Sequence, residues 1–381
     1  MAAYFDNAAT TFPKPENVYQ AMDTFYRKYG GNAGRGQYHI AAEASRIVTE
    51  TRQLLKEVLD CENKDIIFAP SDTMALNMVI QGSLQHNQWT VYISPFEHNS
   101  VTRVLHHFEK MGQIHVIPLS LGDDYTYDMA LVREQFAKEP PDMVIISHVS
   151  NVCGIISPVE DIFAEAKKYE AVTIVDMAQS AGVVPLFTGT DLIDYAVFAG
   201  HKTLYGPFGI AGFAKRKSIE LSPIIFGGTG VDSANQDMPD EAPAKYEAGS
   251  QNIQAIAGLH AALKWFRENK NDIRQVEKVN HNRLLQLLKQ YSNIQIVGPK
   301  NRKNCIAVIS CIFDQYSPDN IGNVLDEMEI AVRTGLECAP LAHQCLGTFP
   351  AGTVRFSTSF FTTEEDFKEL EMALQYIADN S

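Results

Sequence analysis

Between residues 65 and 216, short apolar or β-branched runs alternate with helical stretches: Ile66-Ile67-Phe68, Val91-Tyr92-Ile93, Met143 to Val149, Val172 to Asp176, Tyr195 to Phe198 and Ile210 to Phe213. Such βα alternation is the pattern of a mostly parallel sheet covered on both faces, because parallel strands need crossover helices. The chain is therefore expected to be α/β. A Gly-, Pro- and Asp-rich loop follows from Gly227 to Pro243, too polar to be core. A helix is expected over about Gln254 to Asn269, then strands near Ile294 to Val297 and Ile306 to Ile312. We divide the chain into a large domain, 14–255, and a smaller C-terminal α/β domain, 256–381, which residues 1–13 join.

The bulk properties narrow the function. At 381 residues and 45% hydrophobic, the chain can bury a large core. It has no apolar run near the roughly 20 residues that cross a bilayer, so no membrane partner is expected. A net charge of −14 and a pI near 5.2 oppose non-specific binding to nucleic acid or anionic lipid, and small metabolites are the expected partners. Met1 to Asp6 lacks the basic and apolar regions of a secretory signal, which predicts a cytoplasmic protein. The six cysteines contain no CxxC pair and suit a reducing compartment.

Lys202 lies in Phe198-Ala199-Gly200-His201-Lys202-Thr203, where an apolar run ends in a glycine and leaves a lone lysine at a strand mouth. Small neighbours there let a flat cofactor lie against the backbone, and a lysine in that place suits Schiff-base chemistry; a plain surface lysine is the alternative. Asp176 ends another apolar run, where a carboxylate is costly without a cation, although a strand-end aspartate also caps turns. His98 follows Val91 to Phe96 and reads either as structural or as a proton carrier. Ser71-Asp72-Thr73 precedes a helical stretch and offers hydroxyls and backbone N–H groups for a phosphate, with Thr73 the preferred anchor; as a plain cap, Ser71 and Asp72 serve equally.

These segments resemble a known family. Phe5-Asp6-Asn7-Ala8-Ala9-Thr10-Thr11, Asn32-Ala33-Gly34-Arg35-Gly36, Glu97-His98-Asn99, His148-Val149-Ser150-Asn151, Val175 to Ser180, Gly200-His201-Lys202, Tyr246 to Ser250, Arg333 to Pro340 and Val354-Arg355-Phe356-Ser357 resemble, in order, the class V aminotransferase group of pyridoxal 5′-phosphate (PLP) enzymes. The likeness is specifically to group II cysteine desulfurases and selenocysteine lyases. The resemblance implies the PLP-dependent transferase fold type I, with a mainly parallel seven-stranded sheet and a homodimer that shares its active sites. It implies that Lys202 carries PLP, Asp176 pairs with the ring nitrogen, Gln179 meets the ring hydroxyl and His98 stacks on the ring. His201 and, from the second subunit, Ser250 would join Thr73 and Asp72 around the phosphate.

Arg355 with Asn151 resembles the family's site for a substrate carboxylate, while Thr353 to Ser357 alternates enough to read also as a strand with a surface arginine. Cys338 resembles the thiol that takes sulfur as a persulfide, with Gly335 as hinge and Ala339-Pro340 ending a compact loop. A buried small hydrophobe is the other reading of Cys338, and a metal site of Cys338, His343 and Cys345 fits no standard zinc spacing. The implied substrates are L-cysteine or L-selenocysteine, with an acceptor protein for the sulfur or selenium; a transaminase is the more distant alternative. Three departures stand out. Ala199 replaces a frequent serine, Asp72 a frequent threonine whose replacement must point its charge away, and Glu337 a frequent histidine whose carboxylate is expected to oppose a charge on the Cys338 sulfur.

Overall fold

The structure, a computed structural model, describes residues 3–34, 36, 38–84, 88–230 and 234–380. Arg35 lies outside them. In chain order come β1 (Ala3–Tyr4), α1 (Glu16–Tyr29), α2 (His39–Val58), β2 (Lys64–Ala69), α3 (Asp72–Ser83), β3 (Trp89–Ile93), α4 (Asn99–Lys110), β4 (Ile114–Pro118), α5 (Met129–Lys138), β5 (Met143–Ser147), α6 (Val159–Ala166), β6 (Val172–Asp176), β7 (Tyr195–Ala199) and β8 (Ala211–Arg216). The C-terminal part holds α7 (Ile253–Leu288), β9 (Ile294–Ile296), β10 (Val308–Phe313), α8 (Pro318–Glu327), β11 (Ile330–Ala331), β12 (Arg333–Gly335), α9 (Pro340–Leu346), β13 (Thr353–Ser357) and α10 (Glu364–Asp379).

Seven strands form the large sheet in the order β2-β8-β7-β6-β5-β3-β4. β8 runs antiparallel to both neighbours; the other pairings are parallel. Successive side chains enter opposite cores. Ile66, Phe68, Val144, Ile146, Val175, Ala196 and Phe198 pack beneath α2, α5, α6 and α7, while Ile67, Ala69, Ile145, Ile174, Tyr195 and Val197 pack beneath α3 and α4. At about 25 cal/mol per Å2 of apolar area removed from water, this two-faced burial is the main force holding the sheet.

Among the elements that exceed the sequence expectation are β4 and α7. β4, Ile-His-Val-Ile-Pro, was not among the expected strands because it is a half-exposed edge strand with a histidine inside and a proline at its end. Helix α7 runs 19 residues beyond Asn269, to Leu288. Its second half looks polar, yet Ile273, Leu284, Leu287 and Leu288 fall on one buried stripe. Through them the helix leaves the large core and enters another, where Ala3 and Phe5 meet Ile309, Phe313, Leu325, Phe356 and Leu370. A four-stranded sheet, β12-β13-β10-β9, belongs to this second core, and β1 pairs with β11 beside it.

Candidate active site

The carboxyl ends of neighbouring parallel strands are where an open α/β sheet exposes backbone and places chemistry. Here β3 leads to His98, β5 to Asn151 and β7 to Lys202, while Asp176 ends β6 in register with Ser147 and Val197. β2 runs in the same direction and delivers Ser71, Asp72 and Thr73 to the start of α3. Ser71 is the cap, its hydroxyl accepting from the Met74 N–H at 3.2 Å, which leaves Asp72 and Thr73 in the first turn.

Burial dominates the electrostatics. Asp176 is buried, and desolvation, then the nearby Asp72 charge, raise its pKa; the Ala178 N–H at 2.8 Å and the field of Lys202 oppose them. A carboxylate so placed favours a cation against it. The Asp72 charge, in the first turn of α3, adds to the raised pKa of Asp176 and opposes the fall at His98 and His201, where burial dominates. His98 caps α4, its Nδ1 accepting from the Ser100 N–H at 3.0 Å, so in the neutral ring Nε2 bears the proton. Burial and the Lys202 charge push its pKa down to about 4, which keeps it neutral at pH 7.

Lys202 is partly exposed, and its backbone is tied to the N-terminal segment: the Thr11 hydroxyl donates to the Lys202 carbonyl and the Thr10 hydroxyl to the His201 carbonyl. His201 stacks on Phe208 with ring centres 4.5 Å apart and touches the Thr10 hydroxyl through Nδ1 at 3.1 Å. Gln179 is buried and donates to the Ala8 carbonyl at 2.7 Å. Glycine at 200 is obligatory, since a Cβ there would sit 2.5 Å from the Ile210 carbonyl oxygen.

Arg355 is buried on β13, which discards the surface reading. It donates to the Asn151 carbonyl at 2.9 Å and to Asp6 at 2.8 Å, and its buried Nε has no partner among the described residues. Asn151 in turn donates through Nδ2 to the Glu337 carbonyl at 2.8 Å. Cys338 is exposed, unlike the buried Cys61, Cys153 and Cys311, and lines a cleft of about 410 Å3 with Thr73, His98, Asn99 and Arg103. Glu337 points inward, so its carboxylate does not confront the sulfur as expected; it meets His343 Nε2 at 2.6 Å. His343 Nδ1 meets Thr348 at 2.7 Å, so both ring nitrogens are engaged and the metal reading of Cys338, His343 and Cys345 loses its imidazole. Ser250 stands apart in this chain, exposed in a separate depression with Phe68, Gly209 and Tyr246.

Three polar residues at the site were not singled out from the sequence, and a fourth, His343, was named there only as a metal candidate. Asp6 holds Arg355; Glu97 lies buried under the strand ends, accepting from the Ser147 N–H at 2.5 Å and its hydroxyl at 2.8 Å; Lys14 donates to the His201 carbonyl; and His343 holds Glu337. Burial pushes the Glu97 pKa up to about 8 and that of Lys14 down to about 7. Only Asp6 and Glu97 carried a signal, as members of the quoted segments.

The family model for class-V aminotransferases matches residues 3–370. The chain belongs to this family. Its relatives include probable cysteine desulfurases from Methanothermobacter thermautotrophicus, 29% identical with 98% of this chain and 94% of that protein covered, and from Aeropyrum pernix, 30% identical with 98% and 94% covered. Among solved structures, the apo form of a cysteine desulfurase from Thermococcus onnurineus NA1 superposes with a TM-score of 0.91 at 26% identity, covering 100% of this chain and 95% of that one. The fold is thus the family's PLP-dependent transferase fold type I.

Proposed function

We propose that this enzyme is a PLP-dependent cysteine desulfurase that converts L-cysteine and the Cys338 thiol into L-alanine and a Cys338 persulfide. The observation that carries the reading is an exposed cysteine that lines one cleft with His98 and Thr73. A transaminase has no use for that thiol.

The residues fit the cofactor. Asp176, buried and with its pKa raised, is completed by a protonated pyridine nitrogen. Lys202 would hold the cofactor through its amine, with His98 over the ring and Gln179 toward the ring oxygen. Thr73, the first-turn N–H of Asp72 and His201 would take the phosphate, and Ser250 of a second copy would complete a shared site in a homodimer. When bound, PLP supplies the electron sink that lets the substrate Cα–H bond break.

The chain's own groups do the rest. Arg355, aided by Asn151, holds the substrate carboxylate, and its unpaired Nε is a ready donor. The Lys202 amine takes the Cα proton, and the neutral His98, with its proton on Nε2, stands beside it. Cys338 Sγ then attacks the substrate sulfur: the S–S bond forms, the Cβ–S bond breaks, and the carbon takes up a proton and leaves as alanine. The persulfide at the open cleft passes to an acceptor protein. We further assign the large domain to 14–255 and the small one to 256–381 with 1–13, and the enzyme to the cytoplasm; no described helix is long and apolar enough to cross a membrane.

The test is an assay of purified protein with L-cysteine and with L-selenocysteine, measuring alanine, 3-mercaptopyruvate, and sulfide or selenide. Alanine with equimolar sulfide under a reductant is the expected result from L-cysteine. 3-Mercaptopyruvate formed from L-cysteine only when an oxo acid is added would make the enzyme a transaminase instead.

A further inference from the structure

The loop that presents Cys338 is strained and anchored by more than its own backbone. Glu337 and Cys338 are consecutive non-glycine residues at φ 41° and 57°, in the left-handed region. An L side chain disfavours that region, and the pair persists only where its surroundings over-determine it. Two carbonyl contacts contribute: Asn151 Nδ2 to Glu337 O at 2.8 Å and Asn99 N to Cys338 O at 2.7 Å. Both partners belong to the strand-end segments, and Asn99 is next to His98.

The third anchor is a side chain. Glu337 is buried, and its Oε2 lies 2.6 Å from His343 Nε2 and 3.4 Å from the Thr353 hydroxyl; its Oε1 has no partner among the described residues. His343, wholly buried on α9, rests on the Thr348 hydroxyl at 2.7 Å. A buried carboxylate is costly unless paired, and the shorter of this one's two contacts is to the helix that follows the thiol. We propose that Glu337 is a positioning residue for the reaction: with His343 and Thr348 it forms a strut from α9 that holds the two left-handed residues and turns the Cys338 thiol out into the His98 cleft. The sequence neighbour of the thiol acts by hydrogen bonding from inside the protein, and its charge is not what the reaction needs. The inference rests on Cys338 being the sulfur-accepting thiol.

The full-length holoenzyme is compared with Glu337→Ala, Glu337→Gln and His343→Gln. Three properties are read: amide hydrogen exchange of the 335–339 segment, persulfide formed on Cys338 in one turnover, and the change in cofactor absorbance on mixing with L-cysteine. Losing the strut should speed segment exchange at least about tenfold in Glu337→Ala and slow sulfur transfer by a similar factor. The absorbance response should stay near wild type. Glu337→Gln keeps an acceptor for the His343 Nε2–H and should restore both quantities. Unchanged exchange and transfer in Glu337→Ala would overturn the proposal, as would a glutamine variant as impaired as alanine, or a parallel loss of the absorbance response. A wild-type enzyme that forms no persulfide would remove the functional reading, while segment exchange alone would still decide the strut.

Discussion

The two halves of the site are built by opposite means. Asp176, His98 and Lys202 stand on the ends of β-strands whose residues are buried on both faces, so their placement follows from the sheet. Cys338 is exposed on a loop in a disfavoured backbone conformation, and its placement follows from a few hydrogen bonds made by Glu337, Asn151 and Asn99. A rigid floor suits a cofactor that must be held in one orientation. A thiol that must reach the substrate sulfur and then an acceptor suits a lightly pinned loop.

Substitutions on the two sides should therefore fail differently, and the largest effect belongs to the floor. Lys202→Ala should remove the covalent cofactor link and lower turnover of both substrates by at least roughly 10^4-fold, since it loses both anchorage and proton transfer. Borohydride reduction followed by peptide mapping checks the attachment; a label on another lysine would break the assignment. Cys338→Ala should lower sulfide release from L-cysteine at least about a hundredfold yet leave most selenide release from L-selenocysteine, because selenium is the better leaving group and needs the nucleophile less. Equal losses on both substrates would erase the distinction between floor and loop.

Arg355→Ala should come next, lowering kcat/KM by about 2 to 4 kcal/mol while cofactor binding stays nearly unchanged. It also strands Asp6, so Asp6→Ala with Arg355→Ala should be non-additive in a double-mutant cycle. The smallest effect concerns Glu97. Its folded pKa of about 8 lies above the ordinary 4.5, so the stability from its bound proton is complete below about pH 4.5 and is lost as pH rises through 8. Glu97→Gln should flatten that decline, gaining on the order of 1 to 3 kcal/mol relative to wild type between pH 5 and 8 in denaturant titrations. Parallel stability curves would show that the buried floor does not carry this proton.

The floor was the more legible half. Lys202, Asp176 and His98 each follow an apolar run, so local sequence places them at strand ends whatever the rest of the chain does. The edge strand β4 and the second half of α7 were less visible, because one lacks two-sided burial and the other hides a narrow apolar stripe among charges. Asp6 and Arg355 meet across 349 positions, and no local pattern announces such a pair. Glu337 shows the same limit in a shorter span. Its sequence neighbour suggested a clash of charge with the thiol, while the left-handed backbone sends the two side chains in opposite directions, one buried on His343 and one exposed.

The central claim is that sulfur moves from the substrate held over the floor to the thiol held on the loop. The direct measurement is a single turnover with L-cysteine, quenched and mapped by mass spectrometry beside a count of alanine. The peptide containing Cys338 should gain the mass of one sulfur atom, in equal amount to the alanine formed. Alanine formed without that gain, or with the sulfur on Cys345, would contradict it.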